Sequence, residues 1–188
     1  MTRVRIGARV VANVTRRVRT CHHLPMGTQL VEAESIDFAV AVWREEGIWM
    51  AAALPVRGAI TAEALTSALR QFPGEGGVYG LVAVSDEFFA AVHQIGDRTR
   101  AFISDSTAIL DWSLADELAE MIGLQVEEDE LEDFEAIGDL SIFADFGLDA
   151  TEVSMLCADD EMYPDEQVKV IAKRVGFAAQ LASVLPAN

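Results

Sequence analysis

The three histidines are the first residues to consider for chemistry, because an imidazole can transfer a proton at neutral pH or bind a metal ion. His22 and His23 are adjacent near the N-terminus, and His93 lies in the middle of a predicted strand. A lone histidine in a strand is usually a packed or surface residue, and a histidine-based metal site needs a second ordered ligand nearby. We therefore assign no catalytic or metal-binding role to any histidine.

The two cysteines, Cys21 and Cys157, are too few and too far apart for a disulfide framework or a zinc cluster. A zinc deaminase needs His-x-Glu followed by Pro-Cys-x-x-Cys. Here His93 is followed by Gln-Ile, and no second cysteine lies near Cys157, so this enzyme class is excluded. We interpret both cysteines as free thiols in a reducing, cytoplasmic compartment. The acid Asp159, two positions after Cys157, is expected to raise the pKa of the thiol and lower its reactivity, which favours a structural role for Cys157.

The remaining catalytic and binding patterns each fail at a named position. The glycine-rich stretch 74–77 has no lysine after it, as a phosphate-binding P-loop requires, so it reads as a helix stop and turn. The acids at 159–161 begin no calcium loop, since Pro164 stands where the loop glycine belongs. There is no G-x-G-x-x-G and no G-x-S-x-G. The sequence therefore predicts no catalytic, cofactor-binding or metal-binding residues, and no cofactor.

Charge divides the chain unevenly. The whole carries 31 acidic and 14 basic residues, for a net charge of −17. Residues 1–35 have a net charge of +4, so residues 36–188 have −21. Such an acidic body is repelled by phosphate backbones, because nucleic-acid binding needs Lys and Arg to displace counterions. We expect no direct nucleic-acid binding by residues 36–188, a basic protein partner instead, and, without an 18-residue apolar run, no membrane span.

Four segments follow from composition. Residues 1–35 are a basic leader, interpreted either as a flexible tail, with Met26 as the true start, or as an arm that touches RNA or folds onto the acidic body. Residues 36–124 form a sheet domain. Residues 125–139 form an acidic linker, since seven carboxylates within 127–135 repel one another. Residues 140–188 form a helical part that packs on the sheet domain.

The sheet domain reads as α+β with the order ββαβββ and a five-stranded, mainly antiparallel sheet, an order similar to longin and roadblock domains. Runs of β formers separated by short turns predict strands at 36–43, 48–54, 78–84, 88–95 and 99–104. Thr61 is the expected start of a helix. A second helical stretch at 106–122 is predicted to break near Trp112, with Ser113 as a cap.

Helices fill the C-terminal part. We expect a short helix at 140–146, another at 150–158 with a capping box of Asp149 and Glu152, and a long one at 164–185. The tryptophans Trp43 and Trp49 lie near one hairpin, where they either form an exposed patch for a partner or close the edge of the core; the latter is favoured.

Several segments together resemble the bacterial tRNA adenosine deaminase-associated proteins. They are DFAVAVWREEGIW (37–49), LRQFPGEGGVYGLVAVSDEFFA (69–90), ISDSTAILDWSLA (103–115), GDLSIFADFGL (138–148) and LCADDEMYPDEQVKVIAKRVGF (156–177). That family is named for lying beside the gene of the deaminase that makes inosine at the tRNA wobble position. The resemblance implies shared biology with this modification and carries over no site residues.

Three functional hypotheses remain. The first is a non-enzymatic accessory protein that binds the tRNA adenosine deaminase, or another basic RNA-handling protein, through its acidic surface. The second is a carboxylate-based or metal-dependent enzyme of unknown type. The third is a longin-like scaffold that forms a homodimer through a sheet edge or through the 36–54 hairpin.

Overall fold

A computed structural model describes residues 35–124 and 135–185. Its centre is a six-stranded antiparallel sheet with the strand order β2-β1-β3-β4-β5-β6. The strands are β1 Ile36–Glu45, β2 Ile48–Ala53, β3 Val78–Val84, β4 Phe88–Ile95, β5 Arg98–Ile103 and β6 Ile137–Gly138. The α+β class and the first five strands are as predicted from the sequence.

Helices cover both faces of the sheet, so the domain has three layers. Every residue of β3 is buried, and so are all but the last of β4. Antiparallel sheets usually leave one face to water and show alternating polarity. The nearly continuous apolar runs at 78–84 and 88–95 reflect the second covered face, which is formed by the segments after β6.

The first face is covered by α1 (Ala62–Leu69), α2 (Ala108–Asp111) and α3 (Ser113–Met121). As predicted, Thr61 caps α1, with its hydroxyl accepting a hydrogen bond from the amide of Ala64 at 3.1 Å. The predicted break at Trp112 is also present. Trp112 itself is the N-cap residue of α3, so the expected cap at Ser113 is wrong. The indole of Trp112 is buried and donates to Glu87 at 3.0 Å, which holds the backbone extended there.

The second face is covered by residues 140–148, α4 (Ala150–Cys157), α5 (Pro164–Val175) and α6 (Ala178–Val184). The capping box of Asp149 and Glu152 is confirmed. The single helix predicted at 164–185 is wrong. Gly176 has φ 102°, a left-handed conformation that ends α5, and Phe177 then turns into the core.

The sheet has six strands where the sequence predicted five. The sixth, β6, contains only two residues and lies inside the predicted linker 125–139. Its Gly138 has φ 111°, and a Cβ there would lie 2.5 Å from the carbonyl oxygen of Ala101. A strand this short has no periodic signal, so only its pairing with β5 reveals it.

Some sequence predictions fall outside the described residues. These are the basic leader up to residue 34, with Cys21, His22 and His23, and residues 125–134 of the acidic linker. Within the described part, no helix has the length and apolar character needed to cross a bilayer.

Candidate functional site

One end of the sheet carries a row of polar and aromatic side chains on its second face. Tyr79 of β3, His93 of β4 and Arg100 of β5 are direct neighbours in the strand register. Residues 139–146, which follow β6, pack over this row. Neighbouring antiparallel strands place opposed side chains on the same face, so residues distant in sequence meet here.

His93 is held rigidly in this row. Its ring stacks on that of Tyr79 with centroids 4.0 Å apart and an angle of 8°. Its Nε2 lies 2.9 Å from the carbonyl oxygen of Gly76, so the Nε2–H donates and Nδ1 keeps its lone pair. That Nδ1 is buried and has no hydrogen-bond partner in the described part of the chain. Burial lowers the pKa of His93, so the ring is neutral at pH 7.

A polar network lies beside His93. Arg100 donates to Asp139 at 2.7 Å and to the hydroxyl of Ser141 at 3.0 Å. Asp139 also accepts from the amide and the hydroxyl of Ser141. The hydrogen bond from Arg100 lowers the pKa of Asp139 to about 2, and burial raises the pKa of Tyr79 to about 12. The network therefore joins β5 to residues 139–141 in a fixed charge state across the physiological range.

A cavity of about 210 Å³ opens at the end of this row. The guanidinium of Arg44 lies over the rings of Trp49 and Phe146, at 5.5 and 5.7 Å, and donates to the carbonyl oxygen of Gly47. Arg44 forms none of the ion pairs found among the described residues. Its guanidinium is instead held by cation–π contacts with Trp49 and Phe146 and by hydrogen bonds to the carbonyl oxygen of Gly47.

A second, larger depression of about 390 Å³ lies on the same side of the sheet, at the opposite end. Three carboxylates line it: Asp37, Asp86 and Asp165. The amide of Asp86 donates to Asp37 at 3.0 Å, and Lys169 pairs with Asp165 at 2.6 Å. Desolvation, with the charges of Asp86 and Asp165, raises the pKa of Asp37. We call this depression the acidic groove; its rim carries the exposed ring of Tyr163.

The cysteine, the tryptophans and the glycine-rich stretch considered in the sequence analysis are packed in the cores or form a turn. Burial raises the pKa of Cys157 to about 12, so its thiol is protonated at neutral pH. Trp43 is buried in the first core and Trp49 is half-buried against the second, as favoured from the sequence, and Trp112 is also buried in the first core. The stretch 74–77 is a turn that supports His93. Within residues 35–124 and 135–185, no group of His, Cys, Asp and Glu is arranged to bind a metal ion.

Sequence reasoning missed the residues that form the row. Tyr79, Arg100 and Asp139 belong to no motif, and the hydrogen bond joining the latter two spans 39 positions. A weak signal was present. Tyr79, His93 and Arg100 interrupt otherwise apolar strands near the ends closest to the 74–77 turn. Polar residues at matching ends of adjacent strands indicate a shared edge of the sheet.

The comparisons with known proteins now decide the family. Residues 37–178 match the family described as Rv3753c-like tRNA adenosine deaminase-associated protein. The chain is also 35% identical over 150 residues to Protein Rv3753c of Mycobacterium tuberculosis (strain ATCC 25618 / H37Rv), which covers 79% of this chain and 87% of the relative. The chain belongs to this family. No solved structure matches it.

The matched region of the tRNA adenosine deaminase-associated family spans nearly all the described structure. It contains all of the sheet except Ile36, the row of Tyr79, His93 and Arg100, and the three carboxylates of the acidic groove. The resemblance stated from the sequence is thereby confirmed. The family name links the chain to tRNA adenosine deaminase by association and names no reaction of its own.

Proposed function

We propose that this protein is a non-enzymatic accessory protein that binds a basic RNA-handling partner through its acidic surface, and that the tRNA adenosine deaminase is this partner. The observation that carries the proposal is the charge of the folded surface. The described residues include 23 acidic and 8 basic side chains, a net formal charge of −15. Family membership supplies the candidate partner.

Several of the basic side chains are already engaged within the fold. Arg100 pairs with Asp139, Lys169 with Asp165, and Arg174 with Glu152. Such internal pairs neutralise equal numbers of acids and leave the acidic excess unchanged. A surface with this excess attracts cationic proteins and speeds their encounter, and it repels nucleic acid. The chain is therefore suited to occupy a basic RNA-binding face and to regulate access to it.

The acidic groove is the part of this surface best suited to receive a basic side chain. Asp37 and Asp86 are exposed, and Asp165 is half-buried beside them. A guanidinium or ammonium group entering the groove would offset the desolvation, and the smaller repulsion from Asp86 and Asp165, that raise the pKa of Asp37. The ring of Tyr163 at the rim offers a face for stacking with an arginine.

Co-purification with the tRNA adenosine deaminase tests this proposal. We expect a complex at low ionic strength that weakens as salt rises, because screening shortens the range of surface charges to about 8 Å at physiological ionic strength. The triple variant Asp37→Asn, Asp86→Asn, Asp165→Asn should bind the deaminase at least about tenfold more weakly. The matched control Asp97→Asn, Asp111→Asn, Glu120→Gln removes the same formal charge from exposed positions elsewhere.

The outcomes separate the parts of the proposal. Equal weakening by both triple variants would show that net charge, and not the groove, determines binding. Absence of any complex at micromolar concentrations, together with unchanged deaminase activity, would refute the accessory role itself.

A further inference from the structure

The free edge of β2 is uncharged in a chain of high charge. Among residues 35–124 and 135–185, β2 pairs only with β1, so its other side is an edge of the described sheet. Its sequence, IWMAAA, contains no charge and no proline, although 24% of the chain is charged. Ile48 is 63% exposed and Met50 is 40% exposed. Proteins usually protect such edges with lysine, proline or a bulge, because an open edge pairs readily with another strand.

The β1–β2 register shows which backbone groups face outward. Leu54 donates its amide to Ala39, which makes 39 and 54 a hydrogen-bonded pair. Hydrogen-bonded and non-hydrogen-bonded pairs alternate along an antiparallel ladder. Within the register that joins Val40 to Ala53 and Glu45 to Ile48, the amides and carbonyls of Trp49, Ala51 and Ala53 therefore point away from β1. Three residues offer a complete set of donors and acceptors to a further strand.

Helix α6 lies beside β2 and shares its lack of charge. Its sequence is AAQLASV, with Leu181 buried and the small residues Ala178, Ala179 and Ala182 exposed. Small exposed residues permit another helix to approach closely. Neither β2 nor the neighbouring α6 therefore contributes a charged residue of its own.

We propose that the free edge of β2 binds a second copy of the chain, with the two β2 strands paired antiparallel about a twofold axis to make a continuous twelve-stranded sheet. A twofold axis perpendicular to the sheet leaves the first face of both copies on the same side of the joined sheet. Side chains alternate between faces along a strand, so an odd-numbered residue must lie opposite an odd-numbered one and an even-numbered residue opposite an even-numbered one. With Ala51 on the axis, Trp49 lies opposite Ala53, and Met50 lies opposite Ala52. Both Trp49 and Met50 then meet a small side chain, which favours close packing, and Ile48 at the end of the strand lies opposite Leu54.

Charge at the ends of β2 favours the same arrangement. Glu45 and Glu46 lie at one end of the strand, and the exposed Arg57 lies beyond the other. Antiparallel pairing places the acidic end of one copy beside Arg57 of the other. Because the strand between these two ends carries no charge, the pairing of the two copies brings no like charges together along β2. A self-complementary patch of this kind is what a twofold interface requires.

Light scattering coupled to size-exclusion chromatography tests the proposal on the full chain. The wild type should elute with twice the mass of the 20.4 kDa chain. Ala51→Pro removes an outward amide and none of the β1–β2 hydrogen bonds, so it should give a folded monomer. Ile48→Lys places a charge on the exposed edge and should weaken the dimer at least about tenfold. Ile95→Lys, at a position that is 42% exposed on β4, is the matched control and should remain dimeric.

Two results would overturn the inference. One is a wild type that stays monomeric at concentrations up to about 100 μM, because a dissociation constant above that value is too weak for a specific dimer. The other is an unchanged dimer in Ile48→Lys, which would place the interface elsewhere; this variant decides the matter if Ala51→Pro fails to fold. The proposal does not depend on deaminase binding, because the acidic groove lies outside the β2 edge.

Discussion

Gly77→Ala perturbs the turn that holds His93. Gly77 has φ 93°, and a Cβ there would lie 2.6 Å from Ile95 Cγ1, 2.7 Å from the Gln94 carbonyl oxygen and 2.7 Å from His93 Nε2. The backbone and the imidazole cannot both stay in place. The turn must move, and the hydrogen bond from His93 to Gly76 is lost.

The cost follows from these contacts. A side chain at a φ reserved for glycine costs about 1–3 kcal/mol. Leaving Nε2 of the buried imidazole without a partner as well as Nδ1 costs about 1–3 kcal/mol more. We expect Gly77→Ala to lower the free energy of unfolding by about 2–6 kcal/mol, a large part of the stability of an ordinary domain. Gly76→Ala is the matched control: a Cβ there meets nothing within 4 Å, and the change should be below about 1 kcal/mol.

Urea denaturation at neutral pH measures both free energies of unfolding. An NMR titration of His93 gives an independent reading, because its pKa depends both on burial of the ring and on the hydrogen bond to Gly76, and the moving turn changes both. If Gly77→Ala is as stable as Gly76→Ala and the His93 titration is unchanged, then the turn does not support His93 in the way described.

Two further predictions concern single titrating groups. Asp139→Asn should lower the free energy of unfolding by about 1 kcal/mol at pH 7, after allowance for solvent screening. The lowered pKa of Asp139 stabilises the fold above about pH 4, and this stabilisation is lost as the pH falls through about 2. Urea denaturation should show the wild type and the variant converging over that window, and a constant difference would contradict the assignment. Cys157, with a pKa of about 12, should react with a thiol reagent at pH 7 far more slowly in the native protein than in urea, measured in a Cys21→Ser background. Equal rates would show that Cys157 is not protected.

Local signals in the sequence were sufficient for most of the elements. Thr61 and Asp149 act through side-chain bonds to amides three residues away, so their caps are readable from the chain alone. The strands β1–β5 were predicted for the same reason, since β-forming runs and short turns are local. The end of α5 was missed although a local signal was present. Gly176 ends the helix in a left-handed conformation, and Phe177 then enters the second core, whereas the apolar spacing of 164–185 suggested one continuous helix.

The amino-acid sequence by itself determined the α+β class, the acidic body, the absence of the familiar catalytic patterns and the resemblance to the family. Each depends on composition or on residues close together in the chain. Only the tertiary structure decided that the sheet has a sixth strand, that Tyr79, His93, Arg100 and Asp139 form one row, and that β2 pairs with no strand but β1 in the described part of the chain. These features depend on pairings between residues many positions apart, which follow from the packing of the whole sheet and leave at most a weak signal in any single segment.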